Sequence, residues 1–171
     1  ILSEISGQVL PWGTLTGIRP TKIPMTLLEE GNSKEEVFHF MKDTYLLNDE
    51  KAKLSIEIAD RELQILSAVN YQNGYSIYIG IPFCPTTCLY CSFTSYPIGV
   101  WKTKVEDYLD ALEKEIDFVA SSMKMQTLTS VYIGGGTPTT LNELQLERLL
   151  KKLTTSFDFE SVKEFTVEAG R

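Results

Sequence analysis

The stretch Ser76-Ile77-Tyr78-Ile79-Gly80-Ile81-Pro82-Phe83-Cys84-Pro85-Thr86-Thr87-Cys88-Leu89-Tyr90-Cys91 constrains this chain more than any other. Its β-branched and aromatic residues (Ile77, Tyr78, Ile79, Ile81) follow one another as in a buried strand. Pro82 and Pro85 stop that strand, and a tight loop follows with all three cysteines of the protein. Cys84, Cys88 and Cys91 are spaced C-x3-C-x2-C, close enough for three thiolates to converge on one centre. A structural zinc or an ordinary iron–sulfur cluster takes four protein ligands. Three thiolates would leave one iron of a [4Fe–4S] cluster open, as catalytic metal sites keep a position for substrate. The residues alone also admit a zinc knuckle or a loop of reduced, inert thiols. Zinc would need a fourth ligand, and the only histidine, His39, lies far off in sequence.

A chain of 171 residues can build one domain with a real core, or one domain plus a small extra. Hydrophobic content of 43% and charged content of 23% are those of a globular protein. No apolar run approaches membrane-spanning length, and no signal-peptide pattern opens the sequence. Cysteines this few and this crowded do not make a disulfide framework, so a reducing cytoplasm is the expected compartment. A net charge of −7 argues against a general binder of nucleic acid or anionic membrane. The first residue is Ile1 rather than Met, so a cut N-terminal end is expected.

Residues 1–26 read as irregular, broken by Pro11, Gly13, Gly17, Pro20 and Pro24. Ser33-Lys34-Glu35-Glu36 has capping-box form and starts a helix with Val37, Phe38, Met41, Tyr45 and Leu46 at helical spacing. Its His39 reads as an ordinary surface or satisfied histidine. Asn48 or Asp49 can cap a second helix with an apolar stripe of Leu54, Ile58, Ile65, Leu66 and Val69. Residues 1–72 are therefore expected to form a mostly helical accessory region and residues 73–171 an α/β domain.

Beyond the cysteine loop, a helix is expected from about Trp101 to Met123, burying Val105, Leu109, Leu112, Ile116, Val119 and Met123. A strand at Thr129–Ile133 runs into Gly134-Gly135-Gly136-Thr137-Pro138-Thr139. Such a turn offers exposed backbone at close range to a ligand, or is simply tight. Thr140-Leu141-Asn142-Glu143 reads as a second capping box, with Leu141, Leu144, Leu149, Leu150 and Leu153 lining the helix after it. The third strand, Glu164–Glu168, puts Phe165 and Val167 on one face and Thr166 and Glu168 on the other. The order strand–helix–strand–helix–strand demands parallel pairing with right-handed crossovers.

Tyr78-x-x-Ile81-Pro82-Phe83-Cys84, the cysteine spacing and Gly135-Gly136-Thr137-Pro138 together resemble the radical S-adenosylmethionine (SAM) enzymes, in the branch of the oxygen-independent coproporphyrinogen III oxidases (coproporphyrinogen dehydrogenases). Two departures are visible: many members have histidine where Gly80 stands, and the best-known type has cysteine where Phe93 stands. Phenylalanine there is shared with heme chaperones of the same branch. The resemblance implies a partial (β/α)6 barrel, of which residues 76–171 supply two units and the strand of a third. It implies Cys84, Cys88 and Cys91 as ligands of a [4Fe–4S] cluster, and Tyr78, Tyr90, Gly135, Gly136, Thr137 and Glu168 around SAM. It also implies a porphyrinogen substrate whose propionates are oxidatively decarboxylated to vinyl groups, with an electron donor such as flavodoxin or ferredoxin. The segment Leu15–Lys22 resembles an N-terminal extension of the dehydrogenase-like subgroup, and Arg19 in it offers a fork that fits a carboxylate. Its plainer reading is a surface turn with solvated charges. A heme chaperone on the same scaffold and a structural metal-binding module are the competing functions.

Overall fold

The computed structural model describes residues 2–17, 19–69 and 71–170. The chain divides into two compact units, residues 1–68 and residues 69–171.

The first unit is helical: α1 (Leu2–Ser6), α2 (Lys22–Glu29), α3 (Lys34–Tyr45) and α4 (Asp49–Ser67). The capping box at the start of α3 forms, with the Ser33 side chain accepting from Glu36 N–H and the Glu36 carboxylate accepting from Ser33 N–H. Asn48 caps α4 by accepting from Lys51 N–H at 2.8 Å. Val37, Met41, Leu47, Ala52 and Ile56 make the core. Two expectations need correction here. The supposedly irregular opening contains α2, because Pro24 falls in its first turn, where a helix needs no N–H from it. The face of α4 buried within this unit carries Ala52, Ser55, Ile56 and Ala59. Leu54, Ile58 and Ile65, expected on the buried stripe, are exposed.

The second unit is α/β. Its elements run β1 (Gly74–Ile81), β2 (Phe83–Cys84), β3 (Tyr96–Pro97), α5 (Ile98–Trp101), α6 (Val105–Ser122), β4 (Thr127–Gly135), α7 (Glu143–Ser156) and β5 (Glu164–Val167). A 3-10 turn at Lys102–Lys104 precedes α6, and another at Pro138–Thr140 follows β4. The three-stranded sheet has the order β1-β4-β5, parallel throughout. A crossover that contains a helix joins β1 to β4 and another joins β4 to β5, as parallel neighbours require.

Side-chain alternation gives the sheet two unlike faces. Ile79, Ile81, Val131 and Ile133 pack with Leu109, Leu112 and Ile116 of α6 and Leu149 and Leu153 of α7 in one buried cluster. Each such leucine or isoleucine contributes about 1.5–3 kcal/mol on leaving water. Arg148 of α7 adds ion pairs to Glu106, Asp110 and Glu113 of α6, the last at 2.7 Å. The cap of α7 differs from expectation. Asn142 and Gln145 form the capping box, while the Thr140 hydroxyl donates to Thr137 O at 2.7 Å and helps close the 3-10 turn instead.

Candidate functional site

The other face of the sheet is polar and laid out in rows by the register. Ser76 stands beside Ser130 and Glu164, Tyr78 beside Tyr132 and Thr166, and Gly80 beside Gly134. In the first row the Ser130 hydroxyl donates to Ser76 Oγ at 2.7 Å. In the second, the Tyr78 and Tyr132 rings stack with centroids 5.6 Å apart and planes 12° from parallel. The glycine row is a floor under these rings. A Cβ at Gly134 would lie 2.8 Å from Tyr132 Cε1, 3.0 Å from the Tyr78 hydroxyl and 3.1 Å from Glu168 Cδ.

Glu168 follows β5 and extends its pairing by donating its N–H to Ile133 O at 2.9 Å. Its carboxylate accepts a 2.7 Å hydrogen bond from the Tyr132 hydroxyl. That bond to Glu168, with burial and the carboxylate's charge behind it, raises the Tyr132 phenol above its ordinary range. Tyr78 and Glu168, both anticipated, thus share one corner at the C-terminal end of the strands. Tyr132 was not anticipated. Its signal was available, because alternation from Tyr78 and the matching register put Tyr132 on the same face.

The cysteine loop leaves the same end of β1. Phe83 and Cys84 form β2 and pair in parallel with Tyr96 and Pro97 of β3. Both residues of β2 are buried. The glycine turn holds them from the side. Gly136 N–H donates to Ile81 O at 2.7 Å, and Thr137 N–H donates to Phe83 O at 2.8 Å. The Thr137 hydroxyl faces Cys84 Sγ at 3.7 Å. Gly135 has φ +106°, and a Cβ there would lie 2.9 Å from Ile81 O. A Cβ at Gly136 would lie 2.6 Å from Phe83 O and 2.8 Å from Cys84 Sγ. The close approach these glycines permit is therefore to the protein's own chain, Gly135 to the end of β1 and Gly136 to Phe83 and Cys84, and the Gly136 and Thr137 N–H groups are engaged by Ile81 O and Phe83 O. From α6, the Tyr108 hydroxyl donates to Gly80 O at 2.5 Å, and its ring meets Phe83 edge-on at 5.5 Å. Burial, followed by the charge of Glu115, pushes the Tyr108 phenol up.

The remainder of the loop is held less closely. Cys88 and Cys91 are intermediate in exposure and share a turn in which Cys91 N–H donates to Cys88 O at 3.1 Å. Leu89, Tyr90 and Phe93 are exposed. Among the described residues, no group of three or more His, Cys, Asp and Glu side chains is gathered closely enough to hold a metal ion. The donor chemistry nonetheless fits an iron–sulfur cluster. Cys84 is placed by the fold, two further cysteines sit on the adjoining loop, and the only histidine belongs to the other unit. Arg19 is also in the helical unit and exposed, with its carbonyl accepting from Lys22 N–H at 3.2 Å. Its neighbour Ile18 lies outside the described residues.

No family model matches the chain. Comparison with individual proteins decides its membership. The chain is 37% identical over 105 residues to the oxygen-independent coproporphyrinogen III oxidase of Mannheimia haemolytica, covering 61% of this chain and 71% of that protein. The chain belongs to the oxygen-independent coproporphyrinogen III oxidase family. It is 40% identical over its whole length to the oxygen-independent coproporphyrinogen-III oxidase-like protein HemZ of Bacillus subtilis (strain 168), of which it spans 35%. Heme chaperones named HemW, from Lactococcus lactis and Bacillus subtilis, also resemble it, and it aligns with about a quarter of each. Among solved structures, the coproporphyrinogen III oxidase HemN of Escherichia coli, described as a radical SAM enzyme, aligns with TM-score 0.45 and 34% identity over 61% of this chain and 23% of that one. Among the described residues, no helix of this family member is long and apolar enough to cross a membrane.

Proposed function

We propose that this chain is the cluster- and SAM-binding part of a radical SAM enzyme that oxidatively decarboxylates the propionates of coproporphyrinogen III. The observation that carries this reading is the convergence at one strand end: Cys84 is clamped by the Gly135–Thr137 turn, beside the corner formed by Tyr78, Tyr132 and Glu168. Cys84, Cys88 and Cys91 would hold a [4Fe–4S] cluster. Tyr78, Tyr90, Gly135, Gly136, Thr137 and Glu168 would surround SAM. When bound, the reduced cluster and SAM supply hydrogen-abstracting radical chemistry, with electrons from a donor such as flavodoxin or ferredoxin.

What the chain's own residues do is bind and orient. The Gly135–Thr137 turn and Tyr108 fix where the loop starts. The exposed ring of Tyr90 offers a stacking surface for a purine. The Glu168 carboxylate offers an acceptor for an ammonium or a ribose hydroxyl. Arg19, in the full-length protein, would grip a substrate propionate. Residues outside this chain would complete the pocket and exclude water from it, and decarboxylation by residues 1–171 alone is not expected.

Anaerobic reconstitution of the full-length protein should give an oxygen-sensitive [4Fe–4S] spectrum that Cys88→Ser abolishes. Stoichiometric zinc without iron–sulfur absorbance would return the loop to a structural metal knuckle. A heme chaperone is the second reading, favoured by Phe93 at the position where the best-known oxidase type has cysteine, and by the chaperones among the relatives. Tight heme binding without turnover of coproporphyrinogen would select it.

A further inference from the structure

The geometry points to Tyr132 as the residue that positions Glu168 for its ligand, a role that rests on the SAM site proposed above. Three observations converge on it. The Tyr132 hydroxyl donates to one oxygen of Glu168, Oε1, at 2.7 Å, from a neighbouring strand. Its ring is itself held, stacked on Tyr78 on one side and laid over Gly134, where even a methyl group would collide with it at 2.8 Å. The Glu168 backbone is set by its N–H bond to Ile133 O, so the chain is anchored without Tyr132 while the carboxylate takes its hydrogen bond from the Tyr132 phenol.

The consequence is a carboxylate with one oxygen committed and one rotamer favoured. A glutamate just beyond the end of a strand has three side-chain torsions to settle before it can meet a small ligand, and each frozen rotor costs binding free energy. Tyr132 settles them in advance. A phenol suits this task because it donates to Glu168 while its ring packs against Tyr78. Phenylalanine at the same place would keep the packing and lose only the donor. The ligand chemistry that the remaining oxygen fits is an ammonium group or a vicinal diol. SAM carries both, at opposite ends.

The test uses the reconstituted full-length protein, in wild-type form and as Tyr132→Phe, Glu168→Gln and the double variant. Two probes are titrated calorimetrically: S-adenosylhomocysteine, and 5′-methylthioadenosine, which keeps the ribose and adenine but lacks the amino-acid end. Tyr132→Phe should weaken S-adenosylhomocysteine about five- to tenfold, with the thermal midpoint of unfolding little moved. The double variant should bind no worse than Glu168→Gln, because the two residues act through one carboxylate. Loss confined to S-adenosylhomocysteine assigns the ammonium to Glu168, and equal loss of both probes assigns the ribose; either outcome supports the positioning role. Unchanged affinity in Tyr132→Phe, or losses that multiply in the double variant, would overturn it. A wild-type protein that binds neither probe would sink the SAM site itself, and this ligand role with it. The Tyr132–Glu168 bond is tested separately by ¹³C-tyrosine NMR, where the Tyr132 phenol should titrate above an ordinary tyrosine in the wild type and fall back in Glu168→Gln. No such fall would mean that the hydrogen bond does not form in solution.

Discussion

The two faces of the sheet in the second unit are made by the same three strands and share almost nothing else. On one, Ile81, Val131 and Ile133 are fully buried under α6 and α7. On the other, Tyr78 is 63% exposed although its ring partner Tyr132 is its neighbour in register. Parallel sheets ordinarily bury both faces. The contrast therefore separates the residues that hold the sheet together from the residues free to bind something. It also locates the cysteine loop, which leaves the sheet where the polar face ends in Gly80 and Gly134.

If the comparison is right, adjacent residues should differ sharply. Ile133→Ala should destabilise the protein by about 2–4 kcal/mol in chemical denaturation. Tyr132→Ala, one residue away, should cost about 1 kcal/mol or less. Equal losses would erase the distinction between the faces. Next in size is Gly136→Ala, where Phe83 O and Cys84 Sγ of β2 obstruct the new methyl group. It should cost about 1–3 kcal/mol and lower the iron retained after reconstitution. Gly99→Ala, where a Cβ would meet nothing within 4 Å, is its control.

A finer cut runs through the loop itself. Cys84→Ser should reduce the stability of the metal-free protein by about 1–2 kcal/mol, because it puts a hydroxyl into a buried thiol site. Cys88→Ser should change it by about 0.5 kcal/mol or less, although both should abolish iron binding. The smallest effect belongs to the helix layer. Arg148 holds the Glu113 carboxyl below its usual range. A lowered folded value supplies stability above the unfolded value near 4.5 that is lost as pH falls through the folded one. The stability gap between wild type and Arg148→Met should therefore be open at neutral pH and narrow below about pH 4.5. Glu113 is partly exposed, so the gap should also shrink in high salt.

Much of this was legible in sequence because a short period is hard to disguise. Alternation alone placed Phe165 and Val167 opposite Thr166 and Glu168, and helical spacing identified Val105, Leu109, Leu112 and Ile116 on α6. Where the reading failed, two local signals competed. Thr140 and Asn142 are both good caps, and only the 3-10 turn after Pro138 decides that Thr140 bonds to Thr137. On α4, large aliphatic residues drew attention from Ala52 and Ala59, yet small residues are what close helix packing selects. The site shows the deeper limit. A glycine-rich turn announces that something comes close, but not whether it is a ligand or, as at Gly136, the carbonyl of Phe83. Nor does a tyrosine in a strand disclose a carboxylate partner just past the end of another strand, 36 residues later.

The short ladder of β2 and β3 carries one more implication. It pins the loop at Phe83–Cys84 and again at Tyr96–Pro97, leaving the residues between outside the sheet's own bonding. Such a handle can be completed while the basket is still empty. For the function proposed above, the polypeptide can reach its fold first and receive its iron later.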